Sequence, residues 1–125
     1  MIMDDITIDA ANQILGRVAS NVALLLMGKD LPSFAPNRIP DRRIVVKNAG
    51  SVKVTGQKAE AKLYYRHSMY PGGLKSITFE AQMRKDSRKV VEWAVYGMLP
   101  KNRLRSQMMK HLKNLFRAWS VLMRC

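Results

Sequence analysis

The chain has 125 residues, with 22 Lys and Arg against 9 Asp and Glu, a formal net charge of +13, 47% hydrophobic residues and a single cysteine, Cys125. That is enough apolar material for the packed core of one domain spanning residues 1–125, so a wholly disordered chain and an intrachain disulfide framework are both excluded. The longest apolar run, Val22 to Met27, falls far short of the roughly 20 residues that span a bilayer, so a transmembrane role is excluded.

The opening residues Met1-Ile-Met-Asp-Asp5 lack the basic start and apolar core of a secretion signal and the Arg/Ser-rich character of a transit peptide. A cytosolic protein, or an already processed one, is expected. Ile6 and Ile8 alternate with Thr7 and Asp9, which predicts a short strand, and Leu15, Val18, Val22, Leu25 and Leu26 then form the apolar stripe of a helix that Gly28 stops. Leu31 to Asp41 contains three prolines and no period, so it reads as an extended loop. Arg43 to Val46 and Val52 to Thr55 predict two more strands around the turn chemistry of Asn48-Ala-Gly50. Gln57 to Tyr65 reads as helix, running into a Gly-rich basic loop from Arg66 to Lys75.

Thr78 to Arg84 predicts a short helix, and Asp86 caps a second one that buries Val90, Val91, Ala94, Val95 and Met98 and ends at Gly97-Met-Leu-Pro100. Asn102 is a good N-cap for a further helix starting near Arg103. At about 100° per residue from Arg103, Lys110, Lys113, Arg117 and Arg124 fall on one side of that helix, opposite Leu104, Met108, Leu112, Leu115, Phe116, Trp119, Leu122 and Met123. Arg105 lies on the apolar side, in the first turn, where it reaches outward or meets a phosphate. Early strands followed by helices predict an α/β layer structure with some parallel pairing.

Charge is unevenly placed. Up to Leu63 there are 9 basic and 6 acidic residues, and beyond it 13 and 3, so the two halves carry +3 and +10. A field of one sign repels itself unless something neutralises it, so the C-terminal half is expected to face a polyanion; nucleic acid leads, an anionic membrane surface follows, and no membrane partner is expected.

No enzymatic constellation is present. His67 and His111 are far apart with no cysteine neighbour, so no metal site is expected; no phosphate-cradling or dinucleotide fingerprint occurs, and neither a cofactor nor a small-molecule substrate is expected. Gly16-Arg17 places backbone donors and a cation at a helix start, although close packing is the commoner reason for such a glycine.

Two loops carry the stronger signals. In Tyr64-Tyr-Arg-His-Ser-Met-Tyr-Pro-Gly-Gly-Leu-Lys75, Gly72 and Gly73 free the backbone, Arg66, His67 and Lys75 offer phosphate contacts, and Tyr65 and Tyr70 offer flat stacking surfaces. In Gly97-Met-Leu-Pro-Lys-Asn-Arg-Leu-Arg105, a tight turn brings Lys101, Arg103 and Arg105 to a helix start, where the macrodipole also favours an anion. A plain Pro-Gly turn and a plain capped helix start account for the turn residues but not for the cations.

At these loops the sequence closely resembles the large-subunit ribosomal protein family L thirteen. Tyr65-Arg-His-Ser-x-Tyr-Pro-Gly-Gly-Leu-Lys75, with any residue at x, and Gly97-Met-Leu-Pro-Lys-Asn-Arg-Leu104 carry the resemblance. Asp9-Ala, Leu15-Gly-Arg-Val-Ala-Ser20, Gly28-Lys29, Val45-Val, Asn48-Ala49 and Val54-Thr-Gly56 follow at family-like intervals. The resemblance, to the bacterial and organelle form, implies a three-layer α/β/α fold around a four-stranded, mostly parallel sheet. It also implies a non-catalytic protein that binds large-subunit ribosomal RNA early in assembly, beside neighbouring ribosomal proteins, in a bacterial or an organelle ribosome.

On that reading the RNA-binding residues are Arg17, Tyr65, Arg66, His67, Tyr70, Gly72, Gly73, Lys75, Lys101, Asn102, Arg103, Arg105, Lys110 and Lys113. The alternative is an extra-ribosomal regulatory module that uses the same basic face. After Lys113 the sequence leaves the family pattern, which usually continues with a Leu-Lys-Val-Tyr strand, a glycine and a His-Pro-His tail. The resemblance places a break near Leu112 and a strand at Lys113 to Phe116, whereas helical periodicity carries a helix through residues 114–125.

Overall fold

The computed structural model describes residues 4–114. In chain order the elements are β1 (Asp4–Asp9), α1 (Leu15–Met27), β2 (Arg42–Lys47), a single 3-10 turn (Ala49–Ser51), α2 (Lys58–Ala61), β3 (Leu63–His67), β4 (Leu74–Thr78), α3 (Phe79–Met98), α4 (Arg105–Lys110) and β5 (Leu112–Asn114).

Alternation of apolar and polar residues builds the main sheet. β1 and β2 pair in parallel with Ile6 opposite Ile44 and Ile8 opposite Val46, so these four side chains share one face. Ile44 and Val46 are fully buried there, against Val18, Val22 and Leu26 of α1 and Val90, Val91 and Val95 of α3. β5 joins the other edge of β2, also in parallel, with Ile44 opposite Leu112.

Of the predicted α1 stripe Leu15, Val18, Val22 and Leu26 are buried and Leu25 is half-buried, and Gly28 ends the helix at φ 81, its N–H donating to the Leu24 and Leu25 carbonyls. α3 is two helical segments joined at Asp86, whose φ of −160 and ψ of 99 are not helical. Thr78 Oγ1 accepts the Ala81 N–H at 3.3 Å and Asp86 Oδ1 accepts the Arg88 N–H at 3.1 Å, so each segment has its own cap, and the one at Asp86 is where the sequence predicts it.

Several expectations differ from the structure. The sheet has three parallel strands where the resemblance implies four. Val52 to Thr55 contributes one parallel bridge, Lys53 to Ile14, because the facing chain enters α1 at Leu15 and leaves no further partner. Helices cover one face of this sheet, and the other leaves Thr7, Arg43 and Lys113 exposed, so two layers stand among the described residues in place of three.

The helix expected over Gln57 to Tyr65 is the single turn α2. From Leu63 the chain extends, because Leu63-Tyr-Tyr65 suits a strand and finds a partner in Leu74–Thr78. The expected loop from Arg66 to Lys75 is thereby shortened to the tip of an antiparallel hairpin.

The last predicted helix stops at Lys110. Ile44 N–H donates to the His111 carbonyl at 2.9 Å, His111 Nδ1 donates to the Arg42 carbonyl at 2.9 Å, and Asn114 Nδ2 donates to the Arg88 carbonyl at 3.3 Å. These long-range bonds hold Leu112–Asn114 as strand against the local helical period, in line with the resemblance. Residues 115–125, and with them Arg117 and Arg124, lie outside the described residues.

On the open face Arg43 donates to Asp5 at 2.7 and 3.1 Å, and this hydrogen bond holds the Asp5 carboxyl below its ordinary value. The Asn48 side chain, with the Ala11 N–H, does the same for Asp9. A carboxyl depressed in the folded state stabilises the fold above its unfolded value of about 3.9, and that contribution is lost as pH falls through the folded value. Both groups are exposed, so the effect on stability is small. NMR titration is expected to give Asp5 and Asp9 midpoints below about 3.9, and ordinary midpoints would contradict these pairings.

Candidate nucleic-acid interface

The hairpin tip is closed by Ser68 N–H donating to the Gly73 carbonyl at 3.0 Å and Gly73 N–H donating to the Tyr70 carbonyl at 2.9 Å. A β-carbon on Gly73 would collide with Ser68 Oγ and sit 2.9 Å from the Tyr70 carbonyl oxygen, so close approach requires glycine there. Gly72 stands at φ 72 in open space. His67 Nδ1 accepts the Met69 N–H at 2.9 Å, which leaves Nε2 as its remaining polar atom. Tyr65 and Tyr70 are 64% and 74% exposed, far more than structural packing of these rings needs.

Arg66 lies directly opposite Lys75 in the hairpin. Like charges in that position destabilise an antiparallel pair, and an anion across them removes the penalty. Neither side chain has an acidic partner within 4.0 Å among the described residues.

Four of the expected residues, Tyr65, Arg66, His67 and Lys75, line a cleft of about 1060 Å³ between the hairpin and α3. Its opposite wall is formed by Lys85, Lys89 and Trp93, with Tyr64 on the hairpin side. Sequence reasoning missed the three on α3, whereas Tyr64 opens the basic loop already singled out. The available signal was the spacing of Lys89 and Trp93, four apart and therefore on one helix face, but a polar helix face has no direction until the hairpin is seen to cover it. The Tyr64 ring lies 4.8 Å from Trp93, and its burial pushes the phenol up, so it stays neutral.

The second loop is a turn rather than a helix start. Asn102 Oδ1 accepts the Leu104 N–H at 3.0 Å, but the helix begins only at Arg105 and has 6 residues. Such a short helix adds little dipole, so the expected contribution of a helix N-terminus to anion binding is withdrawn and the side chains are left to do it. Lys101 and Arg103 are exposed and in no ion pair among the described residues. Arg105 lies over the Tyr96 ring at 3.8 Å and donates to its hydroxyl at 2.8 Å.

The remaining expected residues are scattered. Arg17 is exposed in the first turn of α1, and Lys110 is exposed at the end of α4. Lys113 is on β5, near Asp5, so it does not share a helical stripe with Lys110. Among the described residues no helix is long and apolar enough to cross a membrane, and no three His, Cys, Asp or Glu side chains cluster to hold a metal.

The family model for ribosomal protein L13 matches residues 4–117. The chain belongs to the ribosomal protein L13 family. It is 48% identical over 106 residues to the large ribosomal subunit protein uL13 of Roseiflexus sp. (strain RS-1), covering 85% of this chain and 73% of that protein. Identity to the uL13 of Natranaerobius thermophilus is 50% over 107 residues, or 86% and 75% of the two chains. For the uL13 of Thermobifida fusca it is 51% over 106 residues, or 85% and 71%. The L13 match spans both basic loops and the cleft, so the exposed cations and tyrosines described above belong to the region shared with the family.

Proposed function

We propose that this chain is a structural, non-catalytic constituent of the large ribosomal subunit: one domain that binds large-subunit ribosomal RNA, supports early subunit assembly and touches neighbouring ribosomal proteins in the bacterial cytoplasm. The supporting observation is the pairing of L13 family membership with exposed cations, Arg66, Lys75, Lys85, Lys101 and Arg103, that have no carboxylate partner among the described residues. On this reading phosphate contacts dominate affinity, with Arg17, Arg66, Lys75, Lys101, Arg103, Arg105, Lys110 and Lys113 as donors. Tyr65, His67 and Tyr70 fit the folded RNA by stacking and hydrogen bonding, while Gly72, Gly73 and Asn102 hold the two loops in shape.

Crosslinking in cells followed by sequencing of the bound RNA tests the assignment. Reads concentrated in large-subunit ribosomal RNA are expected. A majority of reads in messenger RNA would instead favour an extra-ribosomal regulatory module working through the same basic face.

A further inference from the structure

We infer that the cleft between the hairpin and α3 takes an unpaired stretch of RNA, with a base stacked on Trp93 and the flanking phosphates on Arg66, Lys75 and Lys85. This rests on the RNA-binding reading above and names the form of RNA that the cleft selects.

Trp93 is 43% exposed, and the part of it that is covered meets Tyr64 at 4.8 Å with the ring planes 47° apart. Lys62 lies over the same Tyr64 ring, 5.4 Å from its centroid. The indole is thus fixed in direction before any ligand arrives while part of its surface stays open along the cleft. A fixed, half-exposed aromatic surface among cations is what stacking of an unpaired base requires.

The charges around it are arranged to match. Arg66, Lys75 and Lys85 have no acidic partner within 4.0 Å among the described residues, and Asp86, a carboxylate on the cleft wall, pairs with Arg88 at 3.2 Å. One helical turn beyond Trp93, Tyr96 is also 43% exposed and has the Arg105 guanidinium over its ring, 3.8 Å from the centroid. Residues three apart are neighbours on a helix surface, so Trp93 and Tyr96 form a row of flat groups leading from the hairpin towards the turn that holds Lys101 and Arg103. A duplex hides its base faces within its own stack and offers mainly phosphates and 2′-hydroxyls, and has no use for such a row. An unpaired strand uses both the row and the cations.

A purely structural role for Trp93 is the competing account, in which the ring only pins the hairpin to α3. The two are separable because the chain has 2 tryptophans, so Trp119→Phe leaves Trp93 as the sole reporter. The full chain carrying that change is titrated at low salt with a ten-nucleotide oligouridylate, a blunt RNA duplex of equal length, and large-subunit ribosomal RNA.

Oligouridylate is expected to quench Trp93 fluorescence and the duplex to leave it unchanged. Trp93→Ala should weaken oligouridylate binding about tenfold, within the range for loss of one stacked base, and change duplex binding less than twofold; Trp93→Phe should restore most of the loss. Should Trp93→Ala fail to fold, quenching in the chain that keeps Trp93 still decides. Ribosomal RNA binding without quenching by oligouridylate, or Trp93→Ala with undiminished oligouridylate affinity, overturns this inference and leaves the ribosomal reading intact. Absence of binding to all three RNAs overturns both.

Discussion

Alanine at both Lys101 and Arg103 is expected to flatten the salt dependence of ribosomal RNA binding. If the unmodified chain neutralises about six phosphates, its affinity falls roughly a thousandfold between about 50 and 200 mM salt. Each phosphate-contacting cation removed lowers the slope of log K against log salt by about 1, so the double variant should lose only roughly a hundredfold over the same range. Its affinity at low salt falls as well. Both side chains are exposed and in no ion pair among the described residues, so their removal leaves packing untouched. Charge removal at Asp4 and Asp5 is the control, since Asp5 is paired with Arg43 on the open sheet face and belongs to neither basic loop. Equal effects of the two double variants, measured by anisotropy across a salt series, would remove the reason for assigning phosphate contacts to the turn.

Gly73→Ala is expected to be the most damaging single change in the hairpin. The new methyl group meets Ser68 Oγ and the Tyr70 carbonyl, both part of the tip itself, so the tip must open. Such overpacking costs about 1–3 kcal/mol. Gly72→Ala has open space but a left-handed backbone, which costs roughly 1–2 kcal/mol without displacing a neighbour. The two variants therefore differ in degree: Gly73→Ala disturbs the register that sets Arg66 opposite Lys75 and should lower RNA affinity markedly along with stability, whereas Gly72→Ala should lower stability with a smaller loss of RNA affinity. Denaturant unfolding and RNA binding of both variants check this, and matching affinities would show that the tip does not position the cations.

The sequence was most legible where local chemistry and tertiary packing agree. The stripe on α1 with its stop at Gly28, the alternation of β1, and the cap at Asp86 each combine an apolar period with a residue suited to the boundary. It was least legible where a distant partner decides. Leu112–Asn114 continues a helical period, yet β2, about seventy residues earlier, supplies the bonds that make it a strand. Leu63 to His67 likewise follows a helical turn and becomes a strand only because the hairpin tip returns Leu74–Thr78 to its side.

The candidate site divides the same way. Its basic loops are contiguous in sequence and were readable from residue type and spacing. The cleft is not contiguous: Lys85, Lys89 and Trp93 join Arg66 and Lys75 only through the packing of α3 beside the hairpin. Arg105, which the helical projection placed on the apolar side, has an exposed ring to lie on, and that ring, Tyr96, could not be paired with it from spacing alone. Lys110 and Lys113 seemed to share a face because a helix was carried through Leu112, and the strand separates them.

Co-sedimentation of the tagged full chain with ribosomal particles bears on the central claim most directly. In a low-salt gradient of cell extract the chain is expected to travel with free large subunits and whole ribosomes, to be absent from free small subunits, and to leave the large subunit only under salt concentrations that strip phosphate contacts. Recovery solely at the top of the gradient, in the soluble fraction, would contradict a structural role in the large ribosomal subunit.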